Sequence, residues 1–324
     1  MSLDREASQA TAVVYDHTGV EFQLLDLTTG DSRSLGESPS RMHRETWVEK
    51  LPVEITASDG MRLHGYLSTP AGHRDGPLPT VLHVHGGPWA RDDWGYDDMM
   101  QFLVNRGYAV LQVNYRGSAG YGRQYMMAGV GEFAGRMHQD LIDAIDWAID
   151  QGISDPDKFA IMGGSYGGYA TLVGMTLTPD RFACGVDIVG VGDLVTLQED
   201  APPYWEPYMH LWERFVGNPD DPEDRERMKQ KSPLTHAAKV QNPLLIMHGA
   251  NDPRVQQNQS DRMVAALEAA GKEVDYAVIG DEGHGFQHWK NRLTQFRKTE
   301  DFLATCLGGR SSGSDFYQLG SWCF

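Results

Sequence analysis

The sequence is poor in basic residues, in cysteine and in long apolar runs. Its 324 residues include 28 Lys and Arg against 45 Asp and Glu, which gives a formal net charge of −17. This excess of acid argues against nucleic acid and anionic membrane as partners, because their phosphates would be repelled. No apolar run is long enough to span a bilayer, and residues 1–6 lack the apolar core of a signal peptide.

Cysteine is scarce, with only Cys184, Cys306 and Cys323 in the chain. The three are widely spaced and odd in number. Cys184 lies in an apolar, strand-like run, so we expect it to be a reduced residue of the core. A reduced core cysteine fits a reducing compartment, and we therefore expect a cytoplasmic location.

Glycine is plentiful around Ser165, but the residues of a phosphate-binding loop are missing there. A phosphate loop needs Gly-Lys-Ser/Thr, and a dinucleotide fingerprint needs a different glycine spacing. The segment instead reads Gly163-x-Ser165-x-Gly167, between the apolar run 159–162 and the helix-like stretch 169–177. This arrangement is the nucleophile-elbow pattern of serine hydrolases.

The elbow pattern makes two physical demands on the chain. The turn is so sharp that Ser165 must adopt a strained backbone conformation, and the flanking positions must be tiny to clear the strand and the helix. The turn also presents the Ser165 hydroxyl above the sheet edge and aims the Tyr166 N–H toward an oxyanion formed beside it. Without a partner base, the same residues would be only a glycine-rich turn.

Apolar strand-like runs alternate with helical patterns through most of the chain. The runs fall at 80–85, 108–115, 159–162, 182–191, 242–249 and 273–279, and the helical stretches fall at 97–106, 140–149, 169–177, 260–270 and 291–307. This alternation predicts an α/β fold with a mostly parallel sheet and helices on both faces. In such sheets the active site lies at the carboxyl ends of the strands.

The chain divides into three expected segments. Residues 1–49 combine a short β-meander at 12–35 with a polar linker, residues 50–307 form the catalytic domain, and residues 308–324 form a flexible Gly/Ser-rich tail. The catalytic domain opens with a hairpin at Asp59-Gly60, a strong two-residue turn signal.

The strand at 80–85 ends in the turn Gly86-Gly87-Pro88. Such a turn leaves backbone amides free and lets a substrate approach closely, so the Gly87 N–H is the candidate second oxyanion donor. His85 is expected to brace this turn rather than to transfer protons. His83 and His85 share a strand face, but no third metal ligand is placed nearby, and we expect no metal.

A base and an acid for Ser165 follow in the exit loops of two later strands. A serine hydroxyl is a weak nucleophile and needs a base, which in turn needs a carboxylate to fix its tautomer. The order Ser165, Asp252, His284 is nucleophile, acid, base, as in α/β-hydrolases. Three nearby residues are weaker candidates: Asp281, Glu282 and His288. The two acids are too close in sequence to His284 to orient it easily.

Residues 192–232 interrupt the alternation and are rich in Pro, Trp, Tyr and acids. Four aromatic residues fall close together and are candidates for a substrate pocket: Tyr204, Trp205, Tyr208 and Trp212. One interpretation is that this insertion roofs the site and forms an apolar pocket. The other is a helical pair that packs its aromatics, including Phe215, into the core.

Five ordered motifs span the expected catalytic domain. They are His85-Gly-Gly-Pro88, Asn114-Tyr-Arg-Gly-Ser118 with Gly120-Tyr-Gly122, Gly163-Gly-Ser-Tyr-Gly-Gly168, His248-Gly-Ala-Asn-Asp-Pro-Arg-Val255 and Glu282-Gly-His-Gly-Phe286. Together they resemble the catalytic domain of the prolyl oligopeptidase family of serine peptidases, nearest to its acylaminoacyl-peptidase-like branch. The resemblance covers residues 50–307. It implies a triad of Ser165, Asp252 and His284, with an oxyanion hole from the Gly87 and Tyr166 amides.

Members of that family usually carry a β-propeller before the hydrolase domain, which selects substrates by size. About 50 residues precede the domain here, too few for a propeller of four or more blades. We therefore expect an open cleft at Ser165 that accepts bulky acyl groups. Val20, Phe22 and Leu24 alternate in the meander, so we expect their face to pack on the catalytic domain or to pair with another chain.

Three functions fit these residues. The first is a serine peptidase that cleaves short or acylated peptides through an acyl-enzyme. The second is a carboxylesterase with the same triad, because an ester is an easier acyl donor. The third is a binding protein with a silent site. The expected partners are a short peptide or an acyl ester or amide as substrate, and a second copy in a homo-oligomer; no metal or organic cofactor is implied.

Overall fold

Two separate β-sheets organise the chain. The computed structural model describes residues 2–3, 8–16, 19–38, 47–73 and 76–313. Within these residues, a small antiparallel sheet lies at the N-terminus and an eight-stranded sheet forms the centre of the remainder.

The small sheet is the meander expected from the sequence. Its strands, in spatial order, are β1 (Ser2–Leu3), β2 (Gln9–Asp16), β3 (Gly19–Asp26) and β4 (Ser32–Ser38). The Asp26 carboxylate closes the turn into β4 by accepting hydrogen bonds from the Thr28 and Thr29 amides at 2.8 and 3.0 Å. On the face expected to pack or pair, Phe22 remains 44% exposed, whereas Val20 and Leu24 are half-buried.

The large sheet has the predicted, mostly parallel arrangement. Its strands are β5 (Leu51–Thr56), β6 (Arg62–Ser68), β7 (Leu78–Val84), β8 (Ala109–Asn114), β9 (Ser154–Gly164), β10 (Cys184–Ile188), β11 (Leu244–Gly249) and β12 (Val274–Ile279). The spatial order is β12-β11-β10-β9-β7-β8-β6-β5. β7 to β12 run parallel, whereas β5 and β6 form an antiparallel hairpin through the predicted Asp59-Gly60 turn.

Helices cover both faces of this sheet, as the α/β alternation predicts. They are α1 (Asp98–Asn105), α2 (Arg123–Met127), α3 (Arg136–Asp150), α4 (Tyr166–Leu177), α5 (Leu194–Glu199), α6 (Met209–Phe215), α7 (Pro222–Gln230), α8 (Asn258–Ala269) and α9 (Trp289–Leu307). α1 and α9 share one buried core with the sheet, and α3, α4 and α8 share the other. Of the helices in the described ranges, none combines the length and apolar character needed to cross a membrane.

Two local expectations differ from the structure. The sequence predicts a helix from residue 260, but α8 already begins at Asn258, and the Ser260 hydroxyl bonds the buried His248 ring at 2.7 Å. The short helix α2 follows the glycine-rich residues 116–122, in a segment where the sequence shows no helical pattern. Both differences arise because tertiary contacts decide the structure of short polar segments.

The expectation of a reduced Cys184 is wrong. Cys184, the first residue of β10, forms a disulfide with Cys306 near the end of α9, and their Cα atoms lie 6.4 Å apart. That Cα distance is within the usual range for a disulfide. The pair is 122 residues apart in the sequence, so spacing could not have indicated it.

The first residues of the expected flexible tail are bonded to the catalytic domain. The Arg310 N–H donates to the Arg106 carbonyl at 3.0 Å, and the Ser312 amide and hydroxyl donate to the Glu300 carboxylate at 2.9 and 2.7 Å. The rest of the tail, residues 314–324, lies outside the described residues.

Candidate active site

Ser165 occupies a strained turn between β9 and α4. Its backbone has φ +58° and ψ −116°, a region that L residues rarely adopt. Two hydrogen bonds hold the turn: the Ser165 N–H donates to the Ile188 carbonyl, and its carbonyl accepts from the Tyr169 N–H, both at 2.9 Å. Such strain persists where the surroundings over-determine the conformation, and it is typical of functional sites.

The flanking glycines are required by close packing against β7. A Cβ atom at Gly163 would lie 2.5 Å from the Val84 carbonyl oxygen, and one at Gly167 would overlap the same oxygen. Neither position can therefore hold a side chain without moving backbone. This is the steric demand that the elbow pattern predicts.

Asp252 and His284 are joined by a short hydrogen bond. Each stands in the loop that leaves a neighbouring strand, β11 or β12, and His284 Nδ1 lies 2.6 Å from Asp252 Oδ2. The other carboxylate oxygen, Oδ1, accepts the Arg254 and Val255 amides at 2.8 and 3.0 Å. With Nδ1 occupied by the carboxylate, Nε2 is the ring nitrogen left for chemistry.

Ser165 and His284 line the same cavity. Within the described residues, the Ser165 hydroxyl forms no hydrogen bond with the His284 ring. Catalytic hydrogen bonds are often long without substrate and tighten only in the complex.

The three weaker candidates for the triad lie elsewhere. Glu282 accepts the Gln287 and His288 amides at 3.0 and 2.8 Å, so its carboxylate closes the loop that carries His284. Asp281 is exposed, and His288 stands at the N-cap position of α9 without a capping bond from its side chain. Of these loop acids, neither bonds the His284 ring in the described structure.

The candidate oxyanion donors surround Ser165. Gly87, Tyr166 and Ser165 line one cavity, and Tyr166 is the first residue of α4, where backbone N–H groups point outward. His85 braces the Gly86-Gly87 turn, as predicted. Its Nδ1 bonds the Gly86 carbonyl at 2.7 Å and its Nε2 bonds the Ser118 hydroxyl at 3.0 Å. Burial lowers the pKa of His85 to about 4, so the ring is neutral.

All four predicted pocket aromatics line the cavity at Ser165, whose volume is about 480 Å³. Trp205 and Trp212 stack with ring centroids 5.1 Å apart, and Tyr204 and Tyr208 are exposed at its edge. Phe215, however, is buried in the core. Both interpretations of residues 192–232 therefore describe part of the segment, which lines the cavity and also contributes to the core.

Sequence reasoning missed several residues that line this cavity. Phe133, Tyr169, Leu194 and Leu197 add apolar surface, and Arg254 adds the only permanent charge among the lining residues described. Arg254 could have been found, because it lies two residues after Asp252 in a predicted exit loop. Phe133 carried no signal, since it belongs to no motif or periodic pattern.

His83 has more polar neighbours than the sequence suggested. Its ring lies close enough to Asp92 and Asp97 for one ligand atom from each to share a metal ion. Lys50 already pairs with Asp97 at 3.3 Å, and the Gln112 amide donates to Asp92 and Asp97 at 2.9 and 3.1 Å. Asp97 is thus paired, but the buried Asp92 Oδ2 has no hydrogen-bond partner among the described residues. The expectation that no third possible ligand lies near His83 is therefore wrong.

The chain matches a known protein family over most of its length. A sequence model of the prolyl oligopeptidase family matches residues 94–310. Dipeptidyl aminopeptidase BIII of Pseudoxanthomonas mexicana is 48% identical over 304 residues, which cover 91% of this chain and 44% of that protein. The acylamino-acid-releasing enzyme of Arabidopsis thaliana is 30% identical over 225 residues, covering 68% of this chain and 29% of that protein.

The structure also resembles a solved relative. A puromycin-hydrolyzing peptidase of Mycobacterium tuberculosis superposes with a TM-score of 0.87 at 27% identity, covering 95% of this chain and 47% of that one. The chain thus spans less than half the length of each of these three relatives.

Proposed function

The chain belongs to the prolyl oligopeptidase family, and on that premise we propose that it is a serine peptidase acting through an acyl-enzyme on Ser165. The observation that carries the proposal is the 2.6 Å bond between His284 and the buried Asp252, beside a strained serine in one cavity. A base so oriented is what a serine hydroxyl needs to become a nucleophile.

The reaction proceeds in two halves. Ser165 Oγ attacks the scissile carbonyl while His284 Nε2 takes its proton, and Asp252 stabilises the imidazolium that results. The carbonyl oxygen becomes an oxyanion that accepts the Gly87 and Tyr166 N–H groups. Collapse breaks the C–N bond, and the departing amine takes the proton from His284. Water then repeats the sequence on the acyl-enzyme, releasing the acid and restoring Ser165.

The cavity indicates the kind of acyl group. Its walls are mostly apolar and aromatic, which favours a large apolar group on the acyl side of the scissile bond. Among the described lining residues there is no Asp or Glu that could hold a substrate ammonium. We therefore propose short or N-acylated peptides as substrates, rather than peptides held by a free amine within this cavity.

A carboxylesterase is the second candidate. The apolar cavity favours it, because it suits a fatty or aromatic acyl group and its described lining offers no acid to anchor the amine terminus of a peptide. An ester is also the easier acyl donor, so ester hydrolysis is expected in either case. The ratio of amide to ester hydrolysis separates the two candidates.

A fluorophosphonate probe tests the nucleophile. Wild-type protein should be labelled at Ser165, and Ser165→Ala should lose both the label and about a million-fold in kcat on matched aminoacyl amide and ester substrates. Labelling that survives the substitution would show that another residue is the nucleophile. Ester hydrolysis without any amide hydrolysis would favour the carboxylesterase.

Assembly and location are also proposals. A homo-oligomer is supported by the exposed apolar residues of the small sheet, among them Val13, Val14 and Phe22. Light scattering on the purified chain tests it, and a monomer at all concentrations would count against it. A cytoplasmic location stays a prediction, and the Cys184–Cys306 disulfide removes the reduced core cysteine on which it was based.

A further inference from the structure

A second cavity lies behind the elbow, on the opposite face of the sheet from the first. Its volume is about 450 Å³, and its wall includes Gly164, one residue before Ser165, and Phe286, two residues after His284. The first cavity is bounded by residues of α4 and α5, whereas the second is bounded by residues of α1 and α9. The two cavities therefore flank the catalytic residues from either side.

The chemistry of acyl transfer assigns a side to each cavity. In the tetrahedral intermediate the oxyanion faces the Gly87 and Tyr166 amides, and the acyl group lies in the first cavity. The leaving amine must approach the His284 ring, because it receives its proton from that ring, which itself lines the first cavity. The loop that carries His284 continues directly into Phe286 and Gln287, which line the second cavity.

Packing does not require a glycine at position 164, whereas it does at the neighbouring Gly163. A Cβ atom at Gly164 would meet only the Ile188 carbonyl oxygen, at 3.8 Å, which is ordinary van der Waals contact. Its backbone does not have the positive φ that excludes side chains. A larger residue would therefore fit the fold, and the effect of glycine here is to leave the space beside Ser165 open.

The second cavity is amphipathic and carries no net charge. Arg292 and Asp98 form an ion pair with each other across its wall. The His83 ring is neutral, because burial lowers its pKa. The remaining lining residues are neutral, with polar Gln287 and Gln295 beside apolar Met and Phe side chains. A neutral side chain fits such a wall better than a charged one, which would have to give up water without a free partner.

We propose that this second cavity is the leaving-group subsite, that it accepts a neutral side chain from the first residue after the scissile bond, and that Gly164 keeps it open. The proposal rests on the proposed peptidase function. It makes Gly164 a determinant of specificity for the leaving group and not for the acyl group.

The test compares Gly164→Leu with Gly280→Leu. Gly280 is a matched control, because it follows another strand of the same sheet, is exposed, has nothing within 4 Å of a Cβ and has no positive φ. One acyl group is joined to a methyl ester or to a leaving residue that is Met, Gln, Lys or Glu. Initial rates give kcat/KM for each substrate, and fluorophosphonate labelling reports the nucleophile separately.

For wild type, kcat/KM should be higher for substrates whose leaving residue is Met or Gln than for those whose leaving residue is Lys or Glu. Gly164→Leu should lower kcat/KM for Met and Gln by about tenfold or more, the usual effect of filling a pocket. It should leave the methyl ester and the labelling rate within about twofold of wild type, and Gly280→Leu should match wild type throughout. Should Gly164→Leu fail to fold, Gln295→Trp fills the cavity from α9 and should give the same selective loss.

Three results would overturn the subsite. Equal loss on ester and peptides would mean that Gly164 supports the elbow alone. No loss on any substrate would mean that leaving groups do not use the cavity, and a wild-type preference for Lys or Glu would contradict its neutral wall. If wild type is neither labelled nor active on any ester or amide, the peptidase function itself fails, and the subsite fails with it.

Discussion

Ser165 shows how single residues fix the site. Its positive φ is held by backbone bonds to β10 and α4, and the close approach of β7 excludes side chains at the glycines on either side. These constraints are local, which is why a five-residue pattern could indicate them. The partners of Ser165 come from loops about 90 and 120 residues further along, and only the order of strands and exit loops pointed to them.

Asp252 is expected to be the acid of the triad. Asp252→Asn should keep the fold but lower kcat by roughly ten-thousand-fold, because an amide leaves His284 in the wrong tautomer. Asp281→Asn, an exposed change in the neighbouring loop that carries His284, is the matched control and should stay near wild type. Measuring kcat of the variants by steady-state kinetics on one amide substrate tests this assignment. The assignment is wrong if Asp252→Asn is active while Glu282→Gln is dead.

Asp187 is a buried carboxyl that should make stability depend on pH. It is fully buried near the end of β10, and burial raises its pKa to about 8, although the Gly190 N–H opposes the shift. Between about pH 4 and 8 the folded protein holds a proton that the unfolded chain has released. This group therefore lowers stability as pH rises, with a slope of at most about 1.4 kcal/mol per pH unit.

Asp187→Asn should remove that dependence. The variant should gain free energy of unfolding relative to wild type as pH rises from 5 to 8, because the amide stays neutral throughout. Urea unfolding at several pH values measures the difference, and the exposed change Asp281→Asn should show no such trend. A constant difference between variant and wild type would mean that Asp187 is already ionised in the folded protein.

The polar side chains that surround the predicted site residues were the hardest feature to predict from the sequence. The sequence placed His83 and His85 on a strand, but it could not show that His83 faces Asp92 and Asp97, which come from a loop without regular structure. Arg254 was part of a recognised motif and still received no role. Side-chain partners depend on loop conformation, and loop conformation carries little periodic signal.

At the scale of elements, Arg116 ties three parts of the fold together. Its guanidinium bonds Asp59 at the β5–β6 turn at 2.8 Å and Asp140 in α3 at 2.7 Å, and both Arg116 and Asp140 are buried. Arg116 itself follows β8. The network fixes the loop that carries Ser118, whose hydroxyl bonds His85. Because His85 braces the Gly86-Gly87 turn, the network indirectly supports the candidate oxyanion donor.

Loss of Arg116 should be strongly destabilising. Arg116→Met leaves the buried Asp140 carboxylate without a cation, which typically costs about 3–5 kcal/mol. Adding Asp140→Asn should recover part of that loss, because the uncompensated charge is then gone. Denaturant unfolding of the two single variants and the double variant gives the coupling. A double variant less stable than Arg116→Met would show that Asp140 has another stabilising partner.

Regular elements were predictable, but the insertion was not. Strands such as β9 and β11 are buried on both faces, and their apolar runs identified them directly. The segment from α5 to α7 has no comparable pattern, because its aromatics divide between the cavity and the core. Composition alone therefore left two interpretations open, and each turned out to describe part of the segment.

At the scale of the whole molecule, the disulfide links distant parts of the chain. Cys184 and Cys306 close a loop of about 120 residues between β10 and α9. Such a bond is a reason to look for this protein in an oxidising compartment, because structural disulfides are rare where thiols are kept reduced. The acidic net charge and the absence of a long apolar helix in the described ranges do not bear on that question.

The disulfide should contribute measurably to stability. Cross-links that close long loops typically stabilise by roughly 2–4 kcal/mol, mainly by restricting the unfolded chain. Cys306→Ser should therefore lower the Tm, and dithiothreitol should lower the Tm of wild type toward that of the variant while leaving the variant unchanged. Cys323→Ser is the matched control and should keep both the wild-type Tm and its response to reductant. Peptide mapping after alkylation without reductant shows whether the bond is present. Free thiols at both Cys184 and Cys306 in protein purified under air would refute the pairing, and the original argument for a cytoplasmic location would then stand again, because it was based on a reduced cysteine in the core.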